Sequence, residues 1–394
     1  MKKGLAICIS IFLVLATMPL HAIAAPEPIK VGVIVTLTGM AAQLGIDNRN
    51  GILLAAKHKG TVLGRQIQII TEDDEGQSET GIRKAEKLVF KDKVVALAGV
   101  TVANVGQAIA GEADRLNVPF LTTNVMTPKF YGLHPLVFRC GQVADDQMTV
   151  AQVQGILKDP DLKKRSWYVL ADDYAWGHSC AESFIQLATE KGLKIANPTY
   201  DNAALNLVDW SPFVSKIMAS DAGGVYACLR SPIAPRFAQQ AYDFGLMDKM
   251  KVIGGTPSEA ALEAAGKSVI GLIGTCCYTW DLDTPKAKAF GQAYWDEFKE
   301  VPPSQGAQAY TGAMVLFNAI EKAGSTDPKS IAAALKGATF DGPYGEVRIS
   351  PKDNCMRTPV RVYVMQAAPA NPYNAKLVKK VVATLTPEEV GPAE

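Results

Sequence analysis

From residue 29 onward the apolar positions fall into one repeated unit: a run of aliphatic residues, a turn with Gly, Asp or Asn, then a stretch with apolar residues three and four apart. The runs read as strands and the spaced stretches as helices, because a strand turns alternate residues to one face and a helix every third or fourth. Strands are predicted over 29–36, 66–72, 94–99 and 119–122, with helices over 48–57, 78–90 and 102–116. The pattern pauses at Val137-Phe138-Arg139-Cys140-Gly141 and starts again. The second set has strands over 166–171, 194–199, 224–229 and 251–254 and helices over 147–157, 178–191, 212–219 and 234–244. After a strand over 271–278 come two long helices, 285–299 and 308–323, and a closing strand pair, 346–349 with 360–366.

Strands that alternate with helices need crossover connections, which predicts an α/β fold with parallel sheets covered on both faces. The unit is built twice, and the helices after 278 have no strand between them, so the chain is expected to return and complete its first half. The expected division is 25–141 with 279–354 as an N-terminal lobe and 142–278 with 355–394 as a C-terminal lobe.

The first residues change the compartment expected. Lys2 and Lys3, an apolar run over 5–15 and the small-x-small triplet Ala22-Ile23-Ala24 read as a signal peptide over 1–24, cleaved near Ala25 and addressing the chain to the periplasm. The run is shorter than the roughly 20 residues of a spanning helix, and its one cysteine, Cys8, lies inside it, where a lipid acceptor is not expected. With 40 Lys and Arg against 39 Asp and Glu, the net charge of +1 gives no footprint for nucleic acid.

Candidate chemistry is sparse. The chain carries four histidines and no C-x-x-C, G-x-G-x-x-G or phosphate-loop motif, so no cofactor or metal is expected. The pairs Asp73-Asp74 and Asp172-Asp173 point their side chains apart on an extended segment, which is unsuited to a catalytic dyad. An enzyme is not expected. Ligands of such α/β folds lie outside the carboxyl ends of the strands, so function is sought in the loops there.

The opening Ile29-Lys30-Val31-Gly32-Val33-Ile34, then Leu37-Thr38-Gly39, Asn50-Gly51-Ile52-Leu53-Leu54-Ala55, Asp73-Asp74, Pro119-Phe120-Leu121, Tyr174-Ala175-Trp176-Gly177 and Asp209-Trp210-Ser211-Pro212 resemble, in order and spacing, the Leu/Ile/Val-type periplasmic binding proteins. The resemblance covers essentially the whole chain after the signal. It implies the type I periplasmic-binding-protein fold, two doubly wound lobes joined by a three-crossover hinge, closing over a small carboxylate. It also implies a monomer that delivers its ligand to the membrane permease of an ABC importer. The same fold in a receptor or regulator is the alternative.

Carried over by position, the implied ligand site comprises Leu44, Thr101, Val102, Ala103, Asn104, Asn124, Val125, Met126, Trp176, Arg230 and Thr256. Ala103 and Asn104 stand either at the carboxylate-binding backbone or at a helix cap. Trp176 is a ligand cover or a core residue, and Arg230 a counter-ion or a rim charge. Amino-acid binders carry an acid soon after the strand that ends near Gly254, whereas the nearest here, Glu259, comes late. The ligand is thus an amino acid held by a shifted loop or an apolar or aromatic carboxylate without an amino group.

Laying the cysteines on the implied crossovers places Cys140 at the first, Cys276 and Cys277 at the second and Cys355 at the third. A disulfide from Cys276 or Cys277 to Cys355 is expected there, and one between Cys180 and Cys228 in the second lobe.

Overall fold

A computed structural model describes residues 26–391 except 142, 231 and 232, and of 145, 255 and 256 the backbone alone. The signal peptide of 1–24 lies outside the described residues.

The first six strands form one sheet. They are β1 (Ile29–Val35), β2 (Thr61–Val62), β3 (Arg65–Asp73), β4 (Ala96–Gly99), β5 (Phe120–Thr122) and β6 (Val137–Arg139), in the order β2-β3-β1-β4-β5-β6. Helices α1 (Ala42–Lys59), α2 (Ser78–Glu86) and α3 (Ala103–Gly111) connect them. The β1–β3, β1–β4, β4–β5 and β5–β6 pairs are parallel. Central parallel strands are buried on both faces, which is why β1 is apolar along nearly its whole length rather than alternating. The chain steps from β1 to one side for β3 and to the other for β4, so the sheet switches direction between β1 and β4 and leaves a crevice at their carboxyl ends.

The second half repeats this. Helix α4 (Asp145–Lys158) leads to β7 (Ser166–Asp172), α5 (Ala175–Glu190), β8 (Lys194–Ile195) and β9 (Asp201–Ala203). Then come α6 (Ser211–Ala219), β10 (Gly224–Arg230), α7 (Ile233–Asp243), β11 (Lys251–Thr256), α8 (Glu259–Ala265) and β12 (Ile273–Cys276). β10 pairs with β7 on one side and β11 on the other, while β8 and β9 pair with the far edge of β7, so a second switch point lies between β7 and β10.

Helices α9 (Pro285–Phe298) and α10 (Ser304–Ala323) follow, and α10 lies along α1 of the first half. A Cβ on Gly51 of α1 would stand 2.1 Å from the carbonyl oxygen of Gly306, so this helix pair meets at a distance that only glycine permits. After α11 (Pro328–Leu335), the strands β13 (Thr339–Gly342), β14 (Gly345–Ile349) and β15 (Met356–Arg357) make a small antiparallel sheet. β16 (Val360–Ala367) and β17 (Leu377–Leu385) instead extend the second large sheet beyond β12.

The closing strand pair expected from the sequence is therefore not a pair. β14 sits between β13 and β15, and β16 between β12 and β17. Pro359, with no N–H to give to a ladder, separates the two systems. Beside that break, Cys355 bridges to Arg139 at the end of β6, bringing the first and third crossing segments together.

The expected disulfides are also corrected. Among the described residues no disulfide is formed, and all six cysteines are buried. Cys276 and Cys277, adjacent on an extended segment, face opposite ways: Cys276 lies in the apolar cluster with Tyr363, and Cys277 in the one with Tyr278 and Tyr344. Cys355 turns elsewhere, donating its thiol to the Phe130 carbonyl at 3.6 Å. Cys180 and Cys228 flank buried Tyr226 without bonding to each other. Burial pushes the Cys276 thiol up to about 12, which keeps it a thiol rather than a reactive thiolate.

Candidate functional site

Both switch points open into one crevice, where loops from the two large sheets face each other. The cavity there is lined by Ala41 and Leu44 at the start of α1, Thr101, Val102 and Ala103 after β4, and Asn124, Val125 and Met126 after β5. From the second half come Tyr174 and Trp176 after β7 and Arg230 at the end of β10, and Gln305 enters from the first turn of α10. The free volume is about 50 Å³, and at 10–15 Å³ of such space per water this is room for roughly four waters. That is room for a small molecule rather than a peptide or sugar chain.

Of the residues singled out from the sequence, Leu44, Thr101, Val102, Ala103, Asn124, Val125, Met126, Trp176 and Arg230 meet at this cavity. Asn104 does not: it is exposed and is not among the lining residues. Nor is it a cap, because α3 begins one residue earlier at Ala103 and has no side-chain cap. Thr256 pairs through its backbone with Arg230, and its side chain lies outside the described residues.

Three lining residues were missed. Ala41 escaped because α1 starts at Ala42, six residues before the apolar spacing shows a helix. Gln305 escaped because α10 starts at Ser304, although Pro302-Pro303 followed by Ser is itself a helix-start signal. Tyr174 was within reach, as the first residue of the Tyr174-Ala175-Trp176-Gly177 motif.

Local sequence explains the positions. Val100 precedes the site with φ of 66°, the left-handed region that a β-branched residue rarely enters, and its N–H is held by the Ile34 carbonyl at 2.5 Å. This turn carries Thr101 to Ala103 out over the end of the sheet. At the other switch point, a Cβ on Gly177 would stand 2.3 Å from the Asp172 carbonyl oxygen, so glycine lets α5 start directly above β7 and places Tyr174 and Trp176 at the crevice.

The polar groups are arranged asymmetrically. The backbone N–H of Ala103, one of the donors that a helix N-terminus leaves without an internal partner, donates to the Tyr174 hydroxyl at 3.0 Å. This bond runs from the first half of the molecule to the second and closes the crevice on that side. Arg230 is the one charged lining residue among those described. Its guanidinium stacks over the Tyr174 ring at 4.6 Å. Its Nε stands 3.4 Å from Asp172 Oδ2, an ion-pair distance rather than a well-formed hydrogen bond, and its backbone N–H donates to the same oxygen at 3.2 Å. Asp172 is fully buried, and burial raises its carboxyl to about 6 even against the pull of Arg230. Near neutral pH Arg230 thus already has one counter-ion, which lies outside the cavity lining.

Trp176 is 5% exposed, with no protein partner for its indole N–H. Gln305 is likewise buried, with its side-chain oxygen unpartnered. Glu259, the late acid, is absent from the cavity: it forms a buried ion pair with Lys379 and accepts the Ser304 N–H at 3.0 Å. Among the described residues no cluster of His, Cys, Asp or Glu could hold a metal ion, and no helix is long and apolar enough to cross a membrane.

Comparison with known proteins agrees with this architecture. A Leu/Ile/Val-binding protein homolog of Brucella suis is 27% identical over 359 residues, covering 88% of this chain and 89% of its own. A leucine-, isoleucine-, valine-, threonine- and alanine-binding protein of Pseudomonas aeruginosa is 25% identical, covering 86% and 90%. An ABC-transporter solute-binding protein of Rhodopseudomonas palustris HaA2, solved with p-hydroxybenzoic acid, superposes with a TM-score of 0.83 at 25% identity, covering 91% and 97%. The two switch-point sheets are those of the type I periplasmic-binding-protein fold. With residues 28–370 matching the family model described as periplasmic binding protein, the chain belongs to the periplasmic binding protein family.

Proposed function

We propose that this protein is the extracytoplasmic solute-binding subunit of an ABC importer, exported by its signal peptide, and that it carries a small carboxylate to a membrane permease. The observation that carries the carboxylate is Arg230, a cation under a small, mostly apolar cavity between the two halves. Trp176 and Leu44 cover the apolar body of the ligand. The relatives named for branched-chain amino acids and the neighbour solved with p-hydroxybenzoic acid support the importer reading and bracket the ligand class.

Supporting the hinge is the path of the chain: α10 lies against α1 while β16 and β17 extend the second sheet. The lobes of this reading are 25–141 with 279–354 and 142–278 with 355–394, acting as a monomer.

The test is direct. Native mass spectrometry of the purified protein should find a bound acid, which calorimetry then titrates against wild type and Arg230→Ala. Charge-assisted hydrogen bonds contribute about 1.5–3 kcal/mol, so the variant should bind more than tenfold more weakly. Sequence alone predicts that this variant melts like wild type. The structure revises that: Asp172 would lose its cation, at a cost of about 1–3 kcal/mol near neutral pH. Unaltered affinity in a folded Arg230→Ala protein would remove Arg230 from the site.

A further inference from the structure

Four acids are buried among the described residues and none of them lines the cavity; Asp74 accepts from the Thr36 hydroxyl at 2.7 Å and from the Gly76 N–H at 2.8 Å. Asp172 faces Arg230 from below. Glu259 is held by Lys379 and by the N-terminus of α10. Asp47, one turn past Leu44 on α1, accepts from the Gln43 amide at 2.9 Å, and burial raises its carboxyl well above the usual range. No Asp or Glu lines the cavity among the described residues.

The anion-binding end of the cavity is also defined. The first N–H of α3, to which a ligand carboxylate could otherwise bind, is occupied by the Tyr174 hydroxyl. Arg230 is left as the cationic partner, oriented by the Tyr174 face.

We propose that the ligand is a carboxylic acid without an amino group, its carboxylate on Arg230 rather than on the α3 N-terminus, and that amino acids are rejected because the cavity offers an ammonium no anion. This rests on the carboxylate-binding reading above. An ammonium brought into this cavity would lose its water without gaining a counter-charge and would lie near Arg230, which disfavours it on both counts. A charge that the site leaves without a counter-charge is discriminated against more strongly than a missing methylene.

The experiment uses matched acids that differ only in the α-amino group, titrated calorimetrically into the full mature chain after endogenous ligand is removed by unfolding and refolding. The pairs are 4-methylpentanoate with leucine and 3-phenylpropanoate with phenylalanine, with benzoate, and with benzamide as its neutral counterpart. The expected result is that at least one amine-free acid binds, at least tenfold more tightly than its amino-acid partner, or benzoate at least tenfold more tightly than benzamide with neither amino acid binding. An amino acid that binds as tightly as its amine-free partner, or more tightly, overturns this inference and leaves the carboxylate reading intact. No binding by any acid at millimolar concentration, or benzamide binding as well as benzoate, overturns both. Wild-type protein decides all of these outcomes. Arg230→Gln adds a check on position, since its acid-over-amide preference should vanish.

Discussion

Asp172 is the residue whose environment is most sharply defined. Arg230, Tyr174 and His178 are the charged and titratable groups that face it, and its carboxyl stands at about 6 because burial outweighs them. An unfolded Asp titrates near 4, so between about 4 and 6 the folded protein holds a proton that the unfolded chain has lost. Stability therefore falls as pH rises through that window and is level on either side. Asp172→Asn removes the step, and its melting temperature relative to wild type should climb from pH 4 to 6 and then flatten. A ligand carboxylate on Arg230 would compete for the same cation and push Asp172 higher still. Binding at pH 6–7 should take up protons, seen as a buffer-dependent calorimetric enthalpy that Asp172→Asn abolishes. The absence of proton uptake would place the carboxylate away from Arg230.

At the scale of elements, most strands and helices were legible because they bury aliphatic residues at regular spacing. What was hidden depends on partners far along the chain. α1 begins six residues early because its first buried face is polar: Asp47, Asn48 and Asn50 are inside, and Asn48 accepts from Thr123, 75 residues away. β17 was missed because Lys379 and Lys380 interrupt its apolar run, yet Lys379 is buried against Glu259. That contact also explains why the late acid is not a ligand group, a fact that no local pattern carries. The cysteine expectation failed similarly: the crossing segments do meet, but side-chain direction at Cys276, Cys277 and Cys355 is set by packing.

The Lys379–Glu259 pair ties β17, α8 and the start of α10 together. Removing one member strands a buried charge, so Lys379→Met should cost about 3–5 kcal/mol in urea unfolding. Adding Glu259→Leu should recover most of that loss, because two apolar groups leave nothing unpaired. A single variant as stable as wild type would show that the pair is solvated.

For the whole molecule, the two-sheet plan was legible as a pattern built twice, and so was the position of most of the crevice. The closure was not, since the bond from Ala103 to the Tyr174 hydroxyl joins residues 71 apart on different halves. Its consequence is a matter of time rather than of strength. While that bond holds, the two halves are tied together on that side of the crevice, and capture is expected to wait for them to part. Followed by tryptophan fluorescence in stopped flow, the capture rate should level off as ligand is raised, at the rate of opening. A neutral hydrogen bond is worth about 0.5–1.5 kcal/mol, so Tyr174→Phe should lift that plateau roughly two- to tenfold. A rate that climbs in proportion to ligand throughout would mean that the halves stand apart when empty. One phenolic hydroxyl would then set a ceiling on how fast the protein loads, however abundant the solute outside.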